Sequence, residues 1–270
     1  MVLTLTRSLF VNRVLLEGEL RIIKKWADGV IAVSKEAARE LAAIDLPTYI
    51  IPGGVDSEHW HPDPVVRKRT RSLLGYQEDD IVVGYLSRLV RSKGAMSLLN
   101  VAARIVRLLP NVRFMIIGDG PMRSQLERQI EEMRLKTVVT MLGSRPWRET
   151  PHYLNAMDIF VFPSFREAFG LALVEAMACG IAPVARFNAG TKEIITDGET
   201  GYLIASDEEI FHQILKLAQD TDLRNRIGAN ARREVQDKYS WQVVTERTVE
   251  AYGEVIRRRL VPSVSEGLEG

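Results

Sequence analysis

Short β-rich runs alternate with longer helical segments between about residue 80 and residue 204. Six runs are predicted strands, at residues 81–86, 112–117, 138–142, 158–162, 181–185 and 201–204. Four helical patterns lie between them, at residues 94–109, 122–133, 148–157 and 171–178. Strands buried on both faces read as nearly continuous apolar runs, as V-R-F-M-I-I and D-I-F-V-F do. The alternation predicts an α/β fold, a Rossmann-like parallel sheet with helices on both faces.

The two ends of the chain follow other patterns. Residues 1–51 are too few for an independent α/β domain, and we interpret them as the remnant of an N-terminal Rossmann-like domain. Their predicted elements are a helix at 13–27, a strand at 29–33, the N-cap Ser34, a helix at 35–43 and a strand at 48–51.

Prolines and glycines are dense after this remnant, so residues 52–75 are predicted to be a linker and residues 76–240 the main domain. The C-terminal part of the chain reads as helical. Its predicted elements are a helix at 207–218, one at 223–238 capped by Asp222, one at 241–260 capped by Ser240, and a disordered tail at 261–270.

The composition excludes several classes of function. With 36 Lys and Arg against 35 Asp and Glu, the net charge of +1 argues against nucleic acid as the main partner. One cysteine, Cys179, cannot form an internal disulfide, which fits a reducing compartment. No run is apolar for long enough to span a bilayer, and the N-terminus lacks the pattern of a secretory signal. We therefore expect a cytoplasmic protein. The basic, helix-patterned first 25 residues leave peripheral contact with anionic lipid as an alternative to packing on the protein's own core.

Two predicted strand-to-helix loops could contact a phosphorylated ligand. In S-R-L-V-R-S-K-G, Arg88 and Lys93 precede a helix whose free N–H groups also attract anions, although a solvated charged loop would read the same way. In I-I-G-D-G-P-M-R, Gly118 would let a ligand approach the backbone closely. That loop resembles a dinucleotide fingerprint but has Arg123 in place of the third glycine, and a tight turn is the alternative.

The third loop, P-S-F-R-E-A-F-G-L-A-L-V-E, carries two glutamates. Glu167 stands before the predicted helix and Glu175 lies on its second turn. The backbone amides of Phe169, Gly170 and Leu171 would point at an anion held between the two carboxylates. Such a site suits a ligand with hydroxyl groups at both ends and phosphate in the middle, as in a sugar nucleotide.

E-A-F-G-L-A-L-V-E resembles the E-x(7)-E motif of retaining glycosyltransferases with the GT-B fold, in the glycosyltransferase group 1 family. Further segments occur in that family's order and spacing, over roughly residues 20 to 255: A-D-G-V-I-A-V-S, I-P-G-G-V-D, L-S-R-L-V-R-S-K-G, I-I-G-D-G-P, D-I-F-V-F-P-S and D-G-E-T-G-Y-L-I. Ala168 and Ser87 stand where the family usually has glycine.

The resemblance implies an enzyme that transfers a hexosyl group from a nucleotide sugar, such as a UDP- or GDP-sugar, with no metal. Glu167 would contact the donor sugar, and Glu175 would hold the ribose hydroxyls. The other implied donor contacts are Arg88 and Lys93 on the diphosphate, supported by the amides of Gly170 and Leu171 beside Phe169, and Gly118, Asp119 and Leu142 around the base.

The resemblance also implies that most of the acceptor domain is missing. The acceptor is unknown, and we expect a second copy or a partner subunit to supply that half. Two alternative functions stay open: a nucleotide-sugar-binding subunit or half-enzyme without turnover, and an NAD-dependent oxidoreductase. The acidic pair Asp220 and Asp222 spells D-x-D but is interpreted as helix capping, and no metal site is expected at His59 and His61.

Overall fold

The computed structural model describes residues 2–5, 23–42 and 45–260. The start of the predicted helix at 13–27 and the tail at 261–270 lie outside the described residues. The chain divides into two compact units: Met1–Gly54 with Trp241–Gly270, and Val55–Ser240.

Nine strands are described: β1 Val2–Leu5, β2 Gly29–Ala32, β3 Thr48–Ile50, β4 Ile81–Leu86, β5 Val112–Ile117, β6 Val139–Gly143, β7 Ile159–Phe162, β8 Ala182–Arg186 and β9 Tyr202–Ile204. Residues 23–26 form a helical turn. The α-helices after it are α1 Lys35–Glu40, α2 Pro64–Leu73, α3 Ala95–Leu108, α4 Arg123–Glu132, α5 Thr150–Ala156, α6 Leu171–Ala178, α7 Thr191–Ile194, α8 Asp207–Gln219, α9 Thr221–Lys238 and α10 Trp241–Leu260. Every predicted strand and helix that falls on described residues forms, with ends shifted by no more than a few residues.

The smaller unit has a three-stranded parallel sheet in the order β1-β2-β3. Ser34 caps α1 as predicted, because its hydroxyl accepts a hydrogen bond of 3.1 Å from the Ala37 amide. Ile31 of this sheet packs with Val244 and Ala251 of α10 in one buried cluster. The pattern did not predict β1.

The larger unit has a six-stranded parallel sheet in the order β6-β5-β4-β7-β8-β9. The strand order reverses between β4 and β7, and ligands of open parallel sheets bind outside the carboxyl ends of the strands at such a reversal. Buried side chains of α3 and α8, including Leu98, Ile105 and Ile214, form one core with the sheet residues Val83 and Phe114. The predicted open α/β sheet is confirmed.

Part of the predicted linker is an ordered helix. Asp63 caps α2 by accepting hydrogen bonds of 2.9 Å from the amides of Val65 and Val66. Arg67 and Arg71 of α2 both bind Asp158, which directly precedes β7, with N–O distances of 2.7 and 3.1 Å. Pro64 starts this helix instead of marking an open segment, because proline is tolerated at the first helical position.

We expect Asp158→Ala to lower the free energy of unfolding by about 3–5 kcal/mol, since it leaves the buried Arg71 guanidinium without its counter-charge. The Asp158 carboxylate also accepts a 2.8 Å hydrogen bond from the Val82 amide of β4. The substitution therefore removes a contact of β4 as well. Urea denaturation measures the change, with Asp79→Ala, at an exposed position, as the control. A loss below about 1 kcal/mol would show that this ion pair does not hold α2 in place.

Asp220, and not Asp222, caps α9: its carboxylate accepts a 2.8 Å hydrogen bond from the Leu223 amide. The predicted cap was therefore two residues late, although the D-x-D segment does act in capping as expected. Among the helices that the structure describes, none combines the length and the apolar character that crossing a membrane requires.

Candidate active site

A cavity of about 290 Å³ opens where β4 and β7 end, at the reversal of strand order. The loops after β4, β6 and β7 and the first turns of α6 supply its walls. Its lining residues are Leu86, Ser87, Lys93, Arg145, Trp147, Thr150, Phe162, Glu167, Gly170, Leu171, Ala172 and Glu175.

An ion pair between Lys93 and Glu167 lies in this cavity. Lys93 ends a short 3-10 helix, Arg91–Lys93, in the loop after β4, while Glu167 lies in the loop after β7. Both side chains are mostly buried, with exposed fractions of 18% and 11%. Gly94 allows the two loops to meet, because a Cβ there would lie 2.3 Å from the Pro163 carbonyl oxygen.

The N-terminus of α6 borders the same cavity. Gly170 precedes the helix with φ of 116°, in the left-handed region that favours glycine, and no side chain caps this end. Gly170, Leu171 and Ala172 all line the cavity. Free N–H groups and the positive end of the helix dipole make this end attractive to an anion.

Glu175 lies on the second turn of α6 and also lines the cavity. Burial raises the pKa of Glu175 to about 7. Its carboxylate has no ion-pair partner among the described residues. Glu175 is half-buried. A carboxylate that lines a cavity without a protein donor among the described residues is suited to hydroxyl groups that a ligand would bring.

This raised pKa makes the stability of the unliganded protein depend on pH. The folded state favours the protonated form of Glu175, so its contribution is complete below the ordinary pKa of 4.5 and is lost as the pH rises through about 7. We expect Glu175→Gln to be more stable than the wild type at pH 8 by roughly 1–3 kcal/mol, and equally stable at pH 4.5. Chemical denaturation at both pH values measures this, and a difference that does not change with pH would contradict it.

Side chains outside the cavity hold the loop that carries Glu167. The Asn188 side-chain amide donates a 2.9 Å hydrogen bond to the Ser164 carbonyl, and its oxygen accepts one of 3.0 Å from the Gly190 amide. A Cβ on Gly190 would lie 2.6 Å from the Phe169 carbonyl oxygen, so the turn at 188–191 packs directly on this loop. The Phe165 amide donates to the Ser92 carbonyl at 2.9 Å and joins the loop to that of Lys93. These contacts tie the Glu167 loop to the turn at 188–191 and to the loop that carries Lys93.

Two other predicted site residues do not line the cavity. Arg88 is exposed, in the loop after β4. Phe169 is buried, and its ring packs against Tyr239 with centroids 5.6 Å apart. The prediction concerned the Phe169 backbone amide, so the interior position of its side chain does not contradict it.

The residues predicted around the base are also outside the cavity lining. Gly118 packs directly against the Ser87 backbone, because a Cβ there would lie 1.8 Å from the Ser87 carbonyl oxygen. Asp119 accepts a 2.7 Å hydrogen bond from the Gly120 amide and pairs with Arg123 at 2.8 Å, and these contacts lower its pKa. Leu142 is half-buried in β6. Gly118 and Asp119 thus both have a structural role in the turn after β5.

Sequence reasoning missed several lining residues: Ser87, Arg145, Trp147, Thr150 and Phe162. The segment S-R-P-W-R after β6 carries an exposed tryptophan among cations. This feature of the sequence could have indicated that the segment lines the cavity. Among the described residues, no group of three or more His, Cys, Asp or Glu side chains could hold a metal ion.

Residues 66–234 match the family described as glycosyl transferases group 1, and the chain belongs to that family. It is similar to alpha-maltose-1-phosphate synthase of Mycolicibacterium smegmatis, with 28% identity over 249 residues, covering 85% of this chain and 64% of that protein. The chain thus spans less than two thirds of the length of that relative.

Two solved structures are similar. The crystal structure of Anabaena Alr3699/HepE in complex with UDP and glucose has a TM-score of 0.84 and 25% identity, covering 93% of this chain and 71% of that one. The C-terminal domain of a glycosyl transferase group 1 family protein (LpcC) from Francisella tularensis has a TM-score of 0.64 and 27% identity, covering 70% of this chain and 100% of that one. The described fold matches GT-B glycosyltransferase structures.

Proposed function

We propose that the unit Val55–Ser240 binds a nucleotide-sugar donor and that the protein is a retaining glycosyltransferase. One observation carries the proposal: a lysine–glutamate pair, an uncapped helix N-terminus and a partly buried glutamate without an ion-pair partner among the described residues line one cavity. Membership of the glycosyl transferases group 1 family, and the UDP and glucose in the similar Anabaena structure, support it.

The diphosphate would lie between the α6 N-terminus and Lys93. In the transfer, the bond between the sugar C1 and the diphosphate oxygen breaks, and C1 bonds to an acceptor hydroxyl oxygen on the same face. The nucleoside diphosphate leaves, and the acceptor hydroxyl loses one proton overall. The Lys93 ammonium and the helix amides stabilise the negative charge that develops on the leaving group, which is electrostatic catalysis by fixed groups.

The two glutamates would hold the hydroxyl groups on either side of the diphosphate. Glu175 accepts from the ribose hydroxyls, and Glu167 accepts from the donor sugar while keeping Lys93 in place. Arg88 is exposed in the same loop as Lys93. Its side chain would contact the diphosphate only after moving toward the bound ligand. We propose no metal, because the lysine and the helix dipole already supply the positive charge.

The acceptor would bind outside the described cavity, on a second copy or a partner subunit, and the chain would act in the cytoplasm or at the membrane surface. A second candidate is a donor-binding subunit without turnover of its own, because every contact assigned to the cavity above is a contact with the donor. Release of nucleoside diphosphate from a sugar nucleotide by this chain alone distinguishes the two.

A calorimetric panel of UDP, GDP, ADP and their sugars, with NAD and an EDTA arm, tests the proposal. We expect one nucleoside diphosphate to bind, with the same affinity in EDTA, and Glu175→Ala to weaken it by about 1.5–3 kcal/mol. Binding of NAD alone, or of none of these ligands, would contradict the proposal.

A further inference from the structure

A buried arginine outside the cavity lining contacts the loop that carries Glu167. Arg186 is the last residue of β8 and is 8% exposed. Its guanidinium carbon lies 4.5 Å from the centroid of the Phe165 ring, and its Nε donates a long hydrogen bond of 3.4 Å to the Pro163 carbonyl. Pro163 and Phe165 both lie between the end of β7 and Glu167. One side chain therefore contacts this loop at two points.

Two further contacts bind the Arg186 guanidinium to the start of α8. It donates a 2.7 Å hydrogen bond to the Ala205 carbonyl and pairs at 2.5 Å with Asp207, the first residue of α8. Ile214 and other buried side chains of α8 pack in the main core. Asp207 supplies the counter-charge that a buried guanidinium requires. Arg186 thus joins the Glu167 loop to a well-packed part of the fold.

Phe165 connects Arg186 to both residues of the ion pair in the cavity. The Phe165 residue is 51% exposed, so burial fixes its ring only in part, and the cation over the ring face adds an electrostatic attraction. Its amide donates a 2.9 Å hydrogen bond to the carbonyl of Ser92, the residue before Lys93. Glu167 follows Phe165 by two residues. A change in the position of Phe165 would therefore change how Lys93 and Glu167 meet.

The contacts of Arg186 are ones that arginine can make and lysine cannot. A planar guanidinium stacks on an aromatic face while its N–H groups reach several acceptors, here the Pro163 and Ala205 carbonyls and the Asp207 carboxylate. A lysine would keep one positive charge near Asp207. It has no planar face for Phe165, and its single nitrogen atom would not replace the spread of donors.

We propose that Arg186 is a positioning residue of the donor site, which keeps Glu167 beside Lys93 by fixing Phe165 and Pro163. It lies outside the cavity lining and acts on the ligand through Glu167. This inference rests on the proposed function, in which Glu167 binds the donor sugar. The affinity for a sugar nucleotide relative to its nucleoside diphosphate reports on Glu167, because the two ligands differ by the sugar.

Calorimetry tests the proposal, with UDP, GDP and ADP and their sugar nucleotides as probes. We expect Arg186→Lys to lower the affinity for the sugar nucleotide relative to the diphosphate by roughly 2- to 30-fold, the scale of a lost cation–π contact. Phe165→Leu, at an exposed position, should give a loss of similar size. The double variant should lose no more than either single variant, because both changes break the same contact.

A second background shows whether Arg186 acts through Glu167. In Glu167→Gln, the carboxylate that Arg186 would position is already absent. Adding Arg186→Lys to that variant should change the affinity ratio by less than about twofold.

Arg104→Lys is the matched control. The Arg104 guanidinium also lies over a phenylalanine ring, 3.9 Å from the centroid of Phe211. It also pairs with a carboxylate of α8, Glu208, at 2.6 Å. Because these residues lie outside the cavity lining, Arg104→Lys should leave the affinity ratio unchanged.

The same affinity ratio in Arg186→Lys and in the wild type would overturn the positioning role and leave the proposed function standing. Equal weakening of both ligands gives that result, since a general loss of structure does not select the sugar. A further fall of the ratio in the Glu167→Gln background would also overturn the role, because Arg186 would then act by another route. If Arg186→Lys does not fold, Phe165→Leu in both backgrounds gives the same outcomes. A wild type that binds no nucleoside diphosphate overturns both proposals together.

Discussion

Lys93→Ala is expected to weaken nucleoside diphosphate binding by roughly 10- to 150-fold, the scale of lost hydrogen bonds to charged groups. The affinity for the nucleoside without phosphates should change little, because Lys93 meets the ligand only at the phosphates. The cause is local: Lys93 is the cation that lines the cavity beside Glu167 and the uncapped end of α6. Calorimetry with the nucleoside diphosphate and the nucleoside measures the two changes separately.

Lys93→Ala alone also leaves the mostly buried Glu167 carboxylate without its partner, which destabilises the fold and repels phosphate. The double variant Lys93→Ala with Glu167→Gln removes that carboxylate charge. We expect it to recover stability without recovering diphosphate affinity. Lys136→Ala, which breaks an exposed ion pair, is the matched control. Equal losses for the nucleoside and its diphosphate would contradict the assignment of Lys93 to the diphosphate.

Glu167→Gln is expected to change two affinities in opposite directions. Without the carboxylate charge beside it, Lys93 attracts phosphate more strongly, so nucleoside diphosphate should bind roughly two- to tenfold more tightly. The sugar nucleotide loses a charged hydrogen-bond acceptor at its sugar, so its affinity relative to the diphosphate should fall by roughly 10- to 150-fold.

Calorimetry on both ligands gives the ratio, with Glu199→Gln as an exposed control outside the cavity. If both affinities rise together, Glu167 does not contact the sugar. If both fall together, its main role is to position Lys93 and not to bind the ligand.

The fold was largely predictable because its signals are local. Strands buried on both faces carry continuous apolar runs, and caps such as Ser34 act within one helical turn. The helix α2 was not predicted, since what holds it is Asp158, 91 residues from Arg67 in the sequence. Proline-rich segments look alike whether or not such a distant partner exists.

The part of the site that lies in one loop could be predicted from the sequence. The part formed by segments that are distant in the sequence could not. Glu167, Glu175 and the α6 N-terminus lie within nine residues of one motif, and Lys93 follows a separate predicted strand. The wall made by Trp147 depends on its stacking on Trp60, a contact between two separate segments. Asn188 and Gly190 support the Glu167 loop through backbone contacts that residue types do not reveal.

A crystal structure with a bound nucleoside diphosphate tests the central claim most directly. The account predicts phosphate oxygens at about 2.7–3.2 Å from the Lys93 Nζ and from amide nitrogens at the start of α6, with Glu175 facing the ribose. A larger cavity of about 360 Å³, lined by Arg67 and Arg224, lies at the opposite end of the strands, just before β7 and β8 begin. Phosphates bound there, with the cavity at Lys93 and Glu167 left open, would contradict the account.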